Sequence, residues 1–111
     1  MLSAPVHVPV LLREVLEFLA IRPGMKILDA TTGLGGHSRG MLEAAGGDAW
    51  LLGLDRDREA LDEAGRRLKA YGERVRLVRA PFSRFPAALA EAGWEKVDAA
   101  LLDAGVSSLQ L

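Results

Sequence analysis

Four short segments carry residue types able to do chemistry. Asp29-Ala30-Thr31-Thr32-Gly33-Leu34-Gly35-Gly36 joins an acid to a cluster of glycines. Glycine lets a ligand approach the backbone, and the start of a following helix presents N–H donors to it. A dinucleotide fingerprint G-x-G-x-x-G beginning at Gly33 would need a last glycine where Ser38 stands, so the pyrophosphate-binding version fits imperfectly. Asp29, just before the bend, points instead to a cofactor with a cationic amino-acid portion. Asp55 lies 20 residues beyond Gly35, the spacing at which a carboxylate accepts hydrogen bonds from the ribose hydroxyls of an adenosine-containing cofactor. Pro81-Phe82-Ser83 offers an aromatic ring that can lie against an adenine. Asp103-Ala104-Gly105-Val106-Ser107-Ser108-Leu109-Gln110 is an acid followed by small residues that suit a flat substrate. Each has a plainer reading. The glycines can serve tight packing, Asp55 can cap a helix or sit in solvent, Phe82 can belong to the core, and the last segment can be a chain end.

These residues need elements to hold them, and the apolar patterning supplies those. Pro9 opens a segment in which Leu11, Leu12, Val15, Leu16 and Leu19 recur at helical spacing, ending before Pro23-Gly24. Residues 25–30 predict a short buried strand, the glycine bend leads into a helix over about 37–45, and residues 49–54 form a nearly continuous apolar run that finishes at Asp55. Asp57 predicts the cap of a third helix with Ala60, Leu61, Ala64 and Leu68 on its buried stripe and Gly72 at its end. Residues 74–79 alternate Val75, Leu77 and Val78 with Arg74, Arg76 and Arg79, the pattern of an edge strand. Ser83 predicts the cap of a helix carrying Phe85, Leu89 and Ala92, Gly93 closes it, and residues 97–102 form a last apolar strand before Asp103.

Strand and helix alternation of this kind defines an α/β fold with a parallel sheet, and right-handed crossovers favour the order 3-2-1-4. The fourth strand reads as an interior strand, yet the nine residues after Leu102 supply no neighbour for its far side. The expectation is a truncated domain, residues 1–111 being the first part of a larger one, with the exposed fourth strand open to self-association.

At 111 residues, half of them hydrophobic and with a net charge of −1, the chain has the composition of one ordinary globular domain. With no cysteine and with His7 and His37 far apart, neither a disulfide nor a recognisable metal site is expected. The apolar runs fall short of the roughly 20 residues that span a bilayer, so the expectation is a cytoplasmic protein without a membrane anchor. The near-neutral balance also lacks the basic footprint of a complete RNA-binding domain.

His7-Val8-Pro9-Val10-Leu11-Leu12, Gly33-Leu34-Gly35-Gly36-His37-Ser38, Leu54-Asp55-Arg56-Asp57, Pro81-Phe82-Ser83 and the segment from Leu101 to Leu111 occur in that order. Together they resemble the hallmark segments of the ribosomal RNA small subunit methyltransferase H family, also called MraW. The resemblance covers the chain from His7 onward but only the opening portion of the family, whose inserted helical domain and later strands are absent. It departs from the family where Ala104 replaces a usual leucine and Leu109 a usual proline.

The resemblance implies a Rossmann-like, S-adenosylmethionine-dependent methyltransferase fold acting on the N4 of a cytidine in 16S rRNA of the small ribosomal subunit. By position it implies that Gly35, Gly36 and His37 line the methionine side of the cofactor and that Asp55 holds its ribose. Phe82, Asp103 and Gln110 complete the pocket, Asp103 also being the candidate catalytic acceptor of an amino hydrogen, while His7 stays structural. Two other readings remain: a catalytically incomplete fragment that at most binds cofactor or self-associates, and an NAD-dependent oxidoreductase.

Overall fold

The computed structural model describes residues 16–17, 19–30, 36–101 and 108–109. Its strands are β1 (Lys26–Asp29), β2 (Trp50–Asp55), β3 (Val75–Arg79), β4 (Ala99–Leu101) and β5 (Ser108–Leu109). Its α-helices are α1 (Gly36–Ala44), α2 (Arg58–Arg67) and α3 (Phe85–Ala92). Leu16, Glu17 and Leu19 are helical, and Ala20 at φ 52° ends that turn. The earlier part of the amphipathic segment, with His7, lies outside the described residues.

The sheet order is β3-β2-β1-β4-β5, parallel from β3 through β4. This is the expected 3-2-1-4 order, with the arginine-bearing β3 at an edge. One expectation needs correction. β5 runs antiparallel to β4, pairing Leu109 with Ala100 and Ser108 with Leu101, so the far side of β4 has a neighbour there and is not the bare edge the sequence implied. Two residues of pairing suffice for this because β4 itself is only three residues long.

Successive residues of a strand face opposite sides of a sheet, and here that alternation builds two cores. Ile27, Leu51 and Leu101 pack with Met41 and Leu42 of α1 and with Leu68 just after α2. Leu28, Leu52, Leu54 and Ala100 pack on the other face with Ala88 of α3 and Val97. Helices on both faces explain why β1 and β2 read as continuous apolar runs. Trp50, at the start of β2, is the exception within that run: it is 42% exposed, and the Arg74 guanidinium lies 5.0 Å from its ring centroid.

Local chemistry sets the element ends, and in three places it differs from the sequence pattern. Asp57 does cap α2, its carboxylate accepting the Glu59 amide at 2.9 Å. The helix, however, stops at Arg67, and Lys69–Arg74 continues as a 3-10 segment broken at Gly72, whose φ of 60° and ψ of −130° no regular helix contains. Ser83 is not a cap. It lies inside a 3-10 turn, Phe82–Arg84, and α3 begins after it with Pro86 in its first turn and no side-chain cap bond. Proline lacks an N–H, which reduces the donors that need capping there. β4 starts at Ala99 because Asp98 turns its side chain to the Lys26 amide, accepting it at 2.8 Å. Gly93 closes α3 as expected, in the left-handed region at φ 78°.

Asp57→Ala is therefore expected to destabilise the chain by about 1 kcal/mol, the usual worth of an N-cap, whereas Ser83→Ala should leave the melting temperature nearly unchanged. Parallel thermal melts of the two variants check this.

Candidate functional site

Strand register brings the two acids singled out in the sequence to one edge. Asp29 ends β1 opposite Gly53 of β2 and Leu101 of β4, and Asp55 lies two residues further along β2. Both therefore stand at the carboxyl end of the parallel sheet, on adjacent strands and, by alternation, on the face covered by α1. β1 is flanked by β2 and β4, whose preceding crossover helices lie on opposite faces, and open α/β sheets bind ligands at that switch point.

Asp29 is fully buried, and its Oδ2 accepts a 2.7 Å hydrogen bond from the hydroxyl of Ser38, which is equally buried. Ser38 is the third residue of α1, so this bond ties the strand end to the first turn of the helix across the glycine bend. In sequence Ser38 stands out as a mismatch to the dinucleotide fingerprint and as the end of the Gly33–Ser38 family segment, with no partner assigned to its hydroxyl. A serine nine residues after an acid carries no signal of its own, since only the fold turns α1 back over the end of β1.

Asp55 is partly exposed, and its Oδ1 accepts the Asp57 amide at 2.8 Å. That bond fixes the carboxylate at the sheet edge, while the helix cap belongs to Asp57. The Ala80 amide donates to the Asp55 carbonyl at 2.9 Å, extending the pairing of β2 with β3. The chain then turns at Pro81 and presents Phe82, which is 53% exposed. Phe82 is thus not a core residue. The fold leaves its ring uncovered on the same carboxyl edge as Asp55.

Gly36 and His37 open α1. His37 is half-buried, and burial holds its imidazole below the usual value of 6.5. The positive end of the helix dipole also disfavours a second positive charge at this position. The unfolded chain takes up a proton near 6.5 that the folded chain resists, so His37 lowers stability progressively as pH falls below that value, and its penalty is absent above it. Melting temperature should therefore drop more between about pH 7.5 and about pH 5.5 in the wild type than in His37→Gln. Equal slopes for the two proteins would contradict a burial-lowered imidazole.

Gly35, Asp103 and Gln110 lie outside the described residues. Among the described residues there is no helix long and apolar enough to cross a membrane, and no group of three His, Asp or Glu side chains able to hold a metal ion.

This architecture recurs in known structures. TrmN from Thermus thermophilus is 30% identical with a TM-score of 0.63, over 71% of this chain and 24% of that one. An S-adenosylmethionine-dependent O-methyltransferase from Thermotoga maritima shares the fold at 20% identity and a TM-score of 0.56, over 76% and 31% of the two chains. A parallel 3-2-1-4 sheet covered by helices on both faces, with acids at the carboxyl ends of its first two strands, is the Rossmann-like fold of S-adenosylmethionine-dependent methyltransferases.

The sequence profile of the MraW methylase family matches residues 4–111. Ribosomal RNA small subunit methyltransferase H of Solidesulfovibrio magneticus is 81% identical over 96% of this chain, and that of Oleidesulfovibrio alaskensis is 55% identical over 95%. The chain belongs to the MraW methylase family. It spans about a third of the length of these relatives, 33% and 32% respectively.

Proposed function

We propose that this chain forms the cofactor-binding part of an enzyme that methylates the N4 of a cytidine in 16S rRNA, using S-adenosylmethionine. The observation that carries the reading is the placement of Asp29 and Asp55 at the carboxyl ends of adjacent strands in a chain of the MraW methylase family. The residues fit such a cofactor. A buried carboxylate at the end of β1 suits a cationic amino-acid tail and has the wrong sign for a pyrophosphate. An acid fixed at the end of β2 suits a ribose, since a carboxylate accepts hydrogen bonds at both oxygens. An exposed phenyl ring on the same edge suits an adenine.

In this reading Gly35, Gly36 and His37 hold the methionine side of the cofactor and Asp55 the ribose, with Phe82, Asp103 and Gln110 completing the pocket. When bound, the cofactor supplies an electrophilic methyl group on a sulfonium. The rest is the work of the chain. The N4 lone pair of cytosine is delocalised into the ring, so the protein must orient the amino group at near-attack distance and accept one of its hydrogens. Asp103 is the proposed acceptor. The base must leave its stack to reach this edge, and an rRNA substrate places the enzyme in the cytoplasm.

Equilibrium dialysis against labelled S-adenosylmethionine and against NAD, side by side, tests the cofactor assignment. Saturable binding of the first and none of the second is expected, and tighter binding of NAD would replace the reading with an oxidoreductase. A second reading, a catalytically incomplete segment, is favoured by the coverage of only a third of the relatives' length. Label transfer to undermethylated small ribosomal subunits separates the two. Transfer by this chain alone supports a complete enzyme, and cofactor binding without transfer supports the incomplete one.

A further inference from the structure

We propose that Ser38 is a positioning residue that sets cofactor preference: its hydroxyl holds the Asp29 carboxylate at the carboxyl end of β1, and the pair favours a ligand with a cationic amino-acid tail. The inference rests on the S-adenosylmethionine reading above and deepens it. Both side chains are completely buried and joined at 2.7 Å. Burying a carboxylate is costly unless hydrogen bonds compensate it, and replacing a buried polar pair with apolar residues is often neutral or stabilising. Packing alone therefore does not account for the pair.

Its location gives it a use. Asp29 is the last residue of β1, paired on one side with β2 and on the other with β4, so its charge lies beneath the end of the sheet where ligands bind. Ser38 occupies the position at which the dinucleotide fingerprint requires glycine for close helix-to-strand packing. Here that position supplies a hydroxyl which fixes the orientation of an anion. A fixed anion in a poorly solvated place attracts an ammonium and repels phosphate oxygens much more strongly than it would in water. Because Asp29 is buried, it acts through its charge at short range, and the hydroxyl acts only through Asp29.

A merely structural clamp would make the same hydrogen bond, so the test must separate the two. S-adenosylhomocysteine and 5′-methylthioadenosine share the adenosine and a neutral thioether sulfur, and only the first carries the amino-acid tail. Calorimetric titration of the full chain with both ligands is expected to show Ser38→Ala weakening S-adenosylhomocysteine by about tenfold or more while 5′-methylthioadenosine changes by less than about twofold. Ser38→Thr, which keeps the hydroxyl, should restore the difference. Retained binding of the tail-less ligand also reports that the variant is folded. Equal losses for the two ligands, loss of all binding in Ser38→Ala, or no loss for either, would overturn the proposal. A wild-type chain that binds neither ligand would instead remove the cofactor reading itself, and this inference with it.

Discussion

Asp55→Asn is expected to weaken S-adenosylmethionine binding by about ten- to hundredfold, corresponding to the roughly 1.5–3 kcal/mol of a hydrogen bond to a charged group. Asparagine keeps a side-chain oxygen able to accept the Asp57 amide that Asp55 Oδ1 accepts at 2.8 Å. The turn that carries the site is therefore preserved. What changes is the chemistry presented to a ribose: a negative acceptor becomes a neutral amide with an N–H₂ donor facing hydroxyls that need acceptors. Asp55 is partly exposed, so its melting temperature should stay near that of the wild type. Isothermal titration with a parallel melt checks both halves of the prediction. Unchanged affinity in a folded variant would remove Asp55 from the pocket.

Leu52→Ala should have the largest effect on stability. Leu52 is completely buried at the centre of β2, in the core shared with Leu28, Leu54 and Ala88. Truncating a core leucine costs about 2–5 kcal/mol, a large share of the 5–15 kcal/mol that holds a typical domain together. In a chain of this size the melting temperature should fall by roughly 10–20 °C. Arg76 provides the control. It is the register partner of Leu52 on β3 but is exposed at the sheet edge, so Arg76→Ala should shift stability by no more than about 0.5 kcal/mol. Denaturation monitored by circular dichroism distinguishes the two. Similar melts for both variants would contradict a core built on the α3 face of the sheet.

Much of this molecule was legible in one dimension. Apolar runs marked β1, β2 and β4, because a strand covered on both faces has to be mostly apolar. Arginines marked β3 as the edge, and Asp57 announced α2 through its own side chain. The acids at positions 29 and 55 could be expected at one edge from the sequence alone, since parallel strands joined by crossovers all end on the same side of the sheet. The family was legible as well, in motifs whose order survives without any structure.

Contacts between distant residues were decided only by the tertiary structure. β5 exists because residues 108 and 109 find β4 as a partner, and nothing in their sequence announces a strand. Phe82 could have been core or site by its type; the 3-10 turn after β3 leaves its ring 53% exposed. Ser38 looked like an imperfect glycine until α1 folded over β1 and set its hydroxyl on Asp29. Patterns of period two or 3.6 reveal which residues are buried. The partner a buried polar group finds depends on where the chain returns in space, and that is a property of packing and not of spacing.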